Sequence, residues 1–151
     1  MSDDSFLNAF ETCTLPAAAW THEAHVRMAW LYVTRLPYDE AVIRVRNGIN
    51  KFNNAVLKKD MGYHETITVA FCCLIADARK KLHRPDKPCE LDDLKSHFPE
   101  FFDRKLSALL RHYRHETLFH ESARTSFVEP DLIPLPTISE QDYHARNKCS
   151  K

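Results

Sequence analysis

Trp20-Thr21-His22-Glu23-Ala24-His25-Val26-Arg27-Met28-Ala29-Trp30-Leu31-Tyr32-Val33 is the stretch that decides the fold class. Thr21 has the hydroxyl of a good N-cap, able to accept from a free amide of the first turn, and Trp20 before it can pack on that turn. From Val26 to Val33 the apolar run is too continuous for a surface helix, so the spacing predicts a buried central helix. Pro37 ends it.

Working outward, the segment after Pro37 places Ala41/Val42, Val45, Ile49, Phe52 and Val56 on one stripe of a long amphipathic helix. Lys58 to Gly62 reads as a short polar connection. A third helix follows, with His64, Ile67/Thr68, Phe71, Ile75, Ala78 and Leu82 on one stripe, and it stops before Pro85. Ser5–Phe10 is expected to form a short first helix and Glu90–His97 another. Pro99 to about His115 is expected to form a fourth long helix with Phe102, Leu106, Leu109/Leu110 and Tyr113 inward. Ala123–Phe127 has room for one helical turn. Glu129-Pro130 through Leu135-Pro136 must run extended, because proline cannot continue a helix. The chain therefore reads as an all-α antiparallel bundle of about four major helices. Residues 1–136 form one domain, and 137–151 form a polar tail.

Composition narrows the function classes. A chain of 151 residues can bury roughly two-thirds of its unfolded surface without a disulfide staple. Lys plus Arg is 21 and Asp plus Glu is 21, which leaves no basic field for nucleic acid. The five cysteines are odd in number and lack CxxC spacing, as expected of a reducing, cytoplasmic compartment. Asp3 and Asp4 stand where an export signal would carry positive charge, and no apolar run approaches the roughly 20 residues that span a bilayer. Gly48 and Gly62 are the only glycines, so there is no Gly-rich phosphate loop.

Histidines carry the chemistry. Short loops make consecutive helices antiparallel neighbours, which brings the starts of the Thr21 and Tyr63 helices and the end of the Pro99 helix to one end of the bundle. His22, His25, His64, His112 and His115 then share a neighbourhood. His22 and His25, three residues apart, project from one face, as do His112 and His115.

The sharpest expectation is a mononuclear site with His22, His25 and His64 as ligands and an open position for water or a small-molecule substrate. Imidazole suits a divalent transition metal, zinc or iron first. Glu23 or Glu65 could orient a ligand or act as base, and Tyr63 could donate a hydrogen bond. Hydrolysis by metal-bound hydroxide and oxidation by bound dioxygen are both open to such a site. Two helix N-termini at one end also favour an anion, with Arg27 and Arg124 assisting, so a metal-free anion-binding module is the alternative.

A third class, a helical adaptor, requires the Val42–Val56 stripe to be uncovered. His112 and His115, near a helix C-terminus, need no function. His83, His97, His120 and His144 read as surface residues. Cys72 and Cys73, about 100° apart on a helix, read as core. The aromatic group of Trp30, Tyr32, Phe71 and Phe102 reads as core too, one end of which could open as an apolar pocket.

The motifs Trp20–Tyr32, Gly62-Tyr63-His64-Glu65-Thr66-Ile67-Thr68 and Ala123-Arg124-Thr125-Ser126-Phe127-Val128-Glu129-Pro130 resemble a family of small, uncharacterised, mainly bacterial helical proteins, over residues about 6 to 136. The resemblance implies that His22, His25, His64, Tyr63, Thr66 and Arg124 belong to a shared motif, and it implies no particular reaction. If the segment after Ser126 folds back, Arg124, Glu129 and Asp131 lie beside the bundle as a clamp.

Overall fold

The computed structural model describes residues 1–58 and 62–138, and every described regular element is helical. In chain order these are α1 (Asp3–Glu11), a 3₁₀ turn Ala17–Ala19, α2 (His22–Arg35), α3 (Tyr38–Phe52) with a π-helical extension Asn53–Leu57, and α4 (Glu65–Leu82). Then come α5 (Leu91–His97), a 3₁₀ turn Pro99–Phe102, α6 (Ser107–Leu110), α7 (His115–Leu118) and α8 (Glu121–Thr125). The fold is all-α, as expected. His144, Cys149 and most of the 137–151 tail lie outside the described residues, as do three residues of the 58–62 connection.

Local chemistry sets the boundaries. Thr21 caps α2, its hydroxyl accepting from the Ala24 amide at 3.2 Å. His64 caps α4 in the same manner, its Nδ1 accepting from the Ile67 amide at 3.1 Å. The stripe foreseen on α3 faces inward, with Ala41, Val42, Val45, Ile49 and Phe52 buried. The condition for an adaptor surface is therefore unmet on that helix.

On α4 the sequence predicts a single apolar stripe, yet Ala70 through Ala76 are buried without interruption. The reason lies in the packing, because α4 touches α2, α3, α5, α6 and α8 and has a neighbour on most sides. One continuous core runs from Phe6 to Leu118, and Leu135 and Ile138 pack on it.

The fourth long helix is not formed. The Asp103 carboxylate accepts from the Lys105 amide two residues on (3.0 Å), and the Leu106 amide bonds the Asp103 carbonyl (3.0 Å). Leu106 adopts φ 63°, which ends helical propagation. Further on, the Arg114 amide is taken by Asp131 at 2.9 Å instead of a helical carbonyl, so α7 starts afresh at His115. Three long helices, α2, α3 and α4, make the frame, and short ones close it.

The segment after α8 does fold back. Thr66 on α4, fully buried, donates to the Ser126 carbonyl (3.0 Å) and accepts from the Val128 amide (3.1 Å). The Tyr113 hydroxyl holds the Val128 carbonyl at 2.7 Å, and the Leu132 amide bonds the His112 carbonyl at 2.9 Å.

Candidate functional site: a cavity with two histidines

The first turns of α2 and α4 and the second half of α3 meet around a cavity of about 780 Å³, whose walls include Met28, Val45, Ile49, Ile67, Phe71 and Phe102. An antiparallel succession of the three helices requires that meeting. The volume is in the range that holds small organic molecules, roughly 300–1,000 Å³, and the mix of apolar wall and few polar groups is typical of such sites. The polar groups include His22, His25, Thr68 and Arg104.

Each histidine is fixed by a backbone carbonyl. His22 Nε2 bonds the Phe101 carbonyl at 3.0 Å, and the ring meets Phe71 edge-on with centroids 5.9 Å apart. His25 Nδ1 bonds the Thr21 carbonyl at 2.7 Å, and its ring lies 3.8 Å from that of Trp20. Because a carbonyl only accepts, both bonds require an N–H on the imidazole. In the neutral rings Nδ1 of His22 and Nε2 of His25 are left with the lone pair. Burial lowers the pKa of His25; the bond to Thr21 opposes that shift and the neighbouring His22 adds to it. A neutral imidazole of fixed tautomer can accept a hydrogen bond or take a proton from a bound O–H or N–H group.

His64 does not join them. It is absent from the cavity lining, and both of its nitrogens are engaged: Nδ1 accepts from Ile67, and Nε2 donates to the Leu118 carbonyl at 2.9 Å. The expected ligand set of His22, His25 and His64 is thus not assembled. Among the described residues no group of three or more His, Cys, Asp or Glu side chains is placed to hold one metal ion. His112 bonds the Ile133 carbonyl at 2.8 Å, His115 packs on Phe119, and neither lines the cavity.

The remaining candidates form separate clusters. Glu65 is gripped by both arms of Arg46 (3.0 and 2.9 Å) and accepts the Tyr63 hydroxyl. Burial pushes the Glu65 carboxyl up, but the Arg46 and Tyr63 bonds outweigh it and hold the group below its usual range. Burial and the Glu65 carboxylate keep the Tyr63 phenol protonated well above its ordinary value. This is a clasp between α3 and α4. Glu23 reaches the cavity rim and pairs with Lys95 at 2.5 Å. Arg124 pairs with Glu121 at 2.5 Å beside His64. Arg27 is held by Asp3 at 2.8 Å over the Phe6 ring, and borders a different depression. Thr66, expected as a motif residue, is the peg for the returning chain. Cys72 borders the cavity with its thiol pushed up to about 12 by burial, which makes it inert as a nucleophile.

Sequence reasoning missed Arg104 and Arg46. Arg46 lies 19 residues before its partner and has no local signal. Arg104 sits in a segment read as continuous helix, where the turn at Leu106 had left no mark. No family model, no curated protein and no solved structure matches the chain.

Proposed function

We propose that the protein binds and acts on a small, largely apolar organic molecule in the cavity at the first turns of α2 and α4, with His22 and His25 as its polar contacts. The observation that supports this is the pair of imidazoles, each locked by a carbonyl, each left with one lone pair beside an apolar wall. His25, whose neutral form is favoured, serves as the proton acceptor, and His22 orients the same ligand. The four cysteines among the described residues are free, which fits the cytoplasmic location we assign. Among the described residues no helix is long and apolar enough to cross a membrane.

The test is a titration with anilinonaphthalene sulfonate. Saturable fluorescence enhancement is expected for the parent, with loss of about tenfold in affinity when Ile67→Trp fills the space, an effect of about 1.4 kcal/mol. A matched substitution at the exposed Ile43, Ile43→Trp, should bind as the parent does. Equal binding by both variants would refute the site.

The same two nitrogens support a second, metal-dependent form of this reading. Nδ1 of His22 and Nε2 of His25, three residues apart, are the lone pairs a zinc or iron ion would take, with substrate and water completing its shell. Elemental analysis decides it. Near-stoichiometric metal in the parent, lost in His22→Ala and His25→Ala and kept in His64→Ala, is expected; metal in none of them after reconstitution would remove this form.

A further inference from the structure

Charge at the rim of the cavity is unbalanced in a way that specifies the ligand. Arg27, Arg35, Arg46, Arg84, Arg111 and Arg124 are each ion-paired. Arg104, which borders the cavity, makes no hydrogen bond or ion pair among the described residues. The carboxylates nearest to it in sequence and at the rim are committed: Asp103 to the Lys105 amide and to Ser107, Glu23 to Lys95. A guanidinium with no partner at the mouth of an apolar cavity matches a carboxylate, which it can grip with two parallel bonds.

The opposite requirement holds at the histidines. Both leave a lone pair, which repels an anion and accepts from an O–H or N–H. The buried indole Nε1–H of Trp20 also has no partner; it donates, so it suits the oxygen of a hydroxyl, which both donates and accepts. The walls combine the aromatic rings of Phe71, Phe102 and Trp20 with aliphatic side chains such as Val45 and Ile49.

Resting on the binding site proposed above, we infer that its ligand is an apolar acid carrying a second, hydrogen-bond-donating group: a carboxylate at Arg104 and a hydroxyl or N–H at His22 and His25. The two ends are read separately by the protein, one as charge and one as donor. A ligand with either end alone leaves the other protein group as it is now.

Isothermal titration with three rigid probes separates the ends: a hydroxynaphthoate with its two groups on opposite rings, naphthoate, and naphthol. The parent should bind hydroxynaphthoate about tenfold more tightly than either of the others, the increment of one charge-assisted or well-placed hydrogen bond. Arg104→Gln should bring hydroxynaphthoate down to the level of naphthol and leave naphthol unchanged, and Arg104→Lys should restore part of the difference. His25→Ala should bring it down to the level of naphthoate.

Equal affinity of the parent for all three probes would overturn the ligand class and leave the cavity reading in place. So would an Arg104→Gln variant that weakens naphthol as much as the acid. Absence of binding by all three, and by anilinonaphthalene sulfonate, would overturn both.

Discussion

A single carbonyl decides what each histidine can do. Thr21 and Phe101 each offer an oxygen to one nitrogen of His25 and His22, and so leave the other nitrogen with its lone pair. His64 has both nitrogens occupied, which turns a residue of the same type into a helix cap.

Two of the histidines predict a pH dependence. His25 and His64 both have a folded pKa lowered from the ordinary 6.5, chiefly by burial. A histidine whose folded pKa is depressed stabilises the fold fully above its unfolded value, and that contribution is lost as pH falls through the folded value. Melting temperature should therefore hold steady at neutral pH and fall below pH 6.5. His64→Asn, which keeps a side-chain acceptor at the cap, should flatten part of that fall. A parent profile with no slope between neutral and mildly acidic pH would contradict the assignment of the neutral tautomers.

Gly48 is a second residue whose environment sets its identity. A Cβ there would meet the Phe10 ring at 2.6 and 2.8 Å, and that ring is itself stacked on Trp20 and packed on Phe52. Alanine gains about 1 kcal/mol of helix propensity. Forcing a buried aromatic ring aside costs about 1–3 kcal/mol. The clash should win, and denaturant unfolding of Gly48→Ala should show a net loss of about 1 kcal/mol.

At the scale of elements, α4 is where the clusters meet. Its first residue is clasped to α3 through Arg46, its cap is tied to α7 through Leu118, and Thr66 pins the returning chain. Thr66→Val keeps the shape of the side chain and removes both bonds, leaving the Val128 amide and Ser126 carbonyl unmatched. The expected loss is about 1–3 kcal/mol in unfolding free energy. Ligand affinity should be unaltered, because Thr66 lies outside the cavity. Glu65→Gln should likewise cost stability and spare binding. A variant of Glu65 that folds as the parent does but loses activity would return Glu65 to the chemistry.

Legibility in the sequence follows the range of the forces involved. The cap at Thr21, the breaks at Pro37 and before Pro85, and the inward stripe of α3 are set within one or two turns, and all were readable. The break at Leu106 was not, because helical periodicity continues through it while the Asp103 side chain competes for the backbone locally. Of the site, His22 and His25 were readable from their spacing on a helix start. That His64 would turn away depended on the Leu118 carbonyl, 54 residues distant in the chain, and no local pattern carries it. Arg46, paired with Glu65 19 residues further on, has a long-range role of the same kind.

For the molecule as a whole, the frame of three long helices leaves a wall of apolar side chains at one end and delivers two oriented imidazoles to it. The burial that makes α4 an interior helix also keeps Cys72 protonated and Thr68 bonded within its own helix, so the histidines, Arg104 and the Trp20 indole N–H remain as groups for a ligand. The central claim is that these two imidazoles, and not His64, meet that ligand. Nitrogen-15 spectra of the histidine rings during titration with hydroxynaphthoate test it most directly. Saturable shifts of His22 Nδ1 and His25 Nε2, with His64 and His112 unmoved, are the expected result; unmoved His22 and His25 signals, or a shift confined to His64, would contradict it.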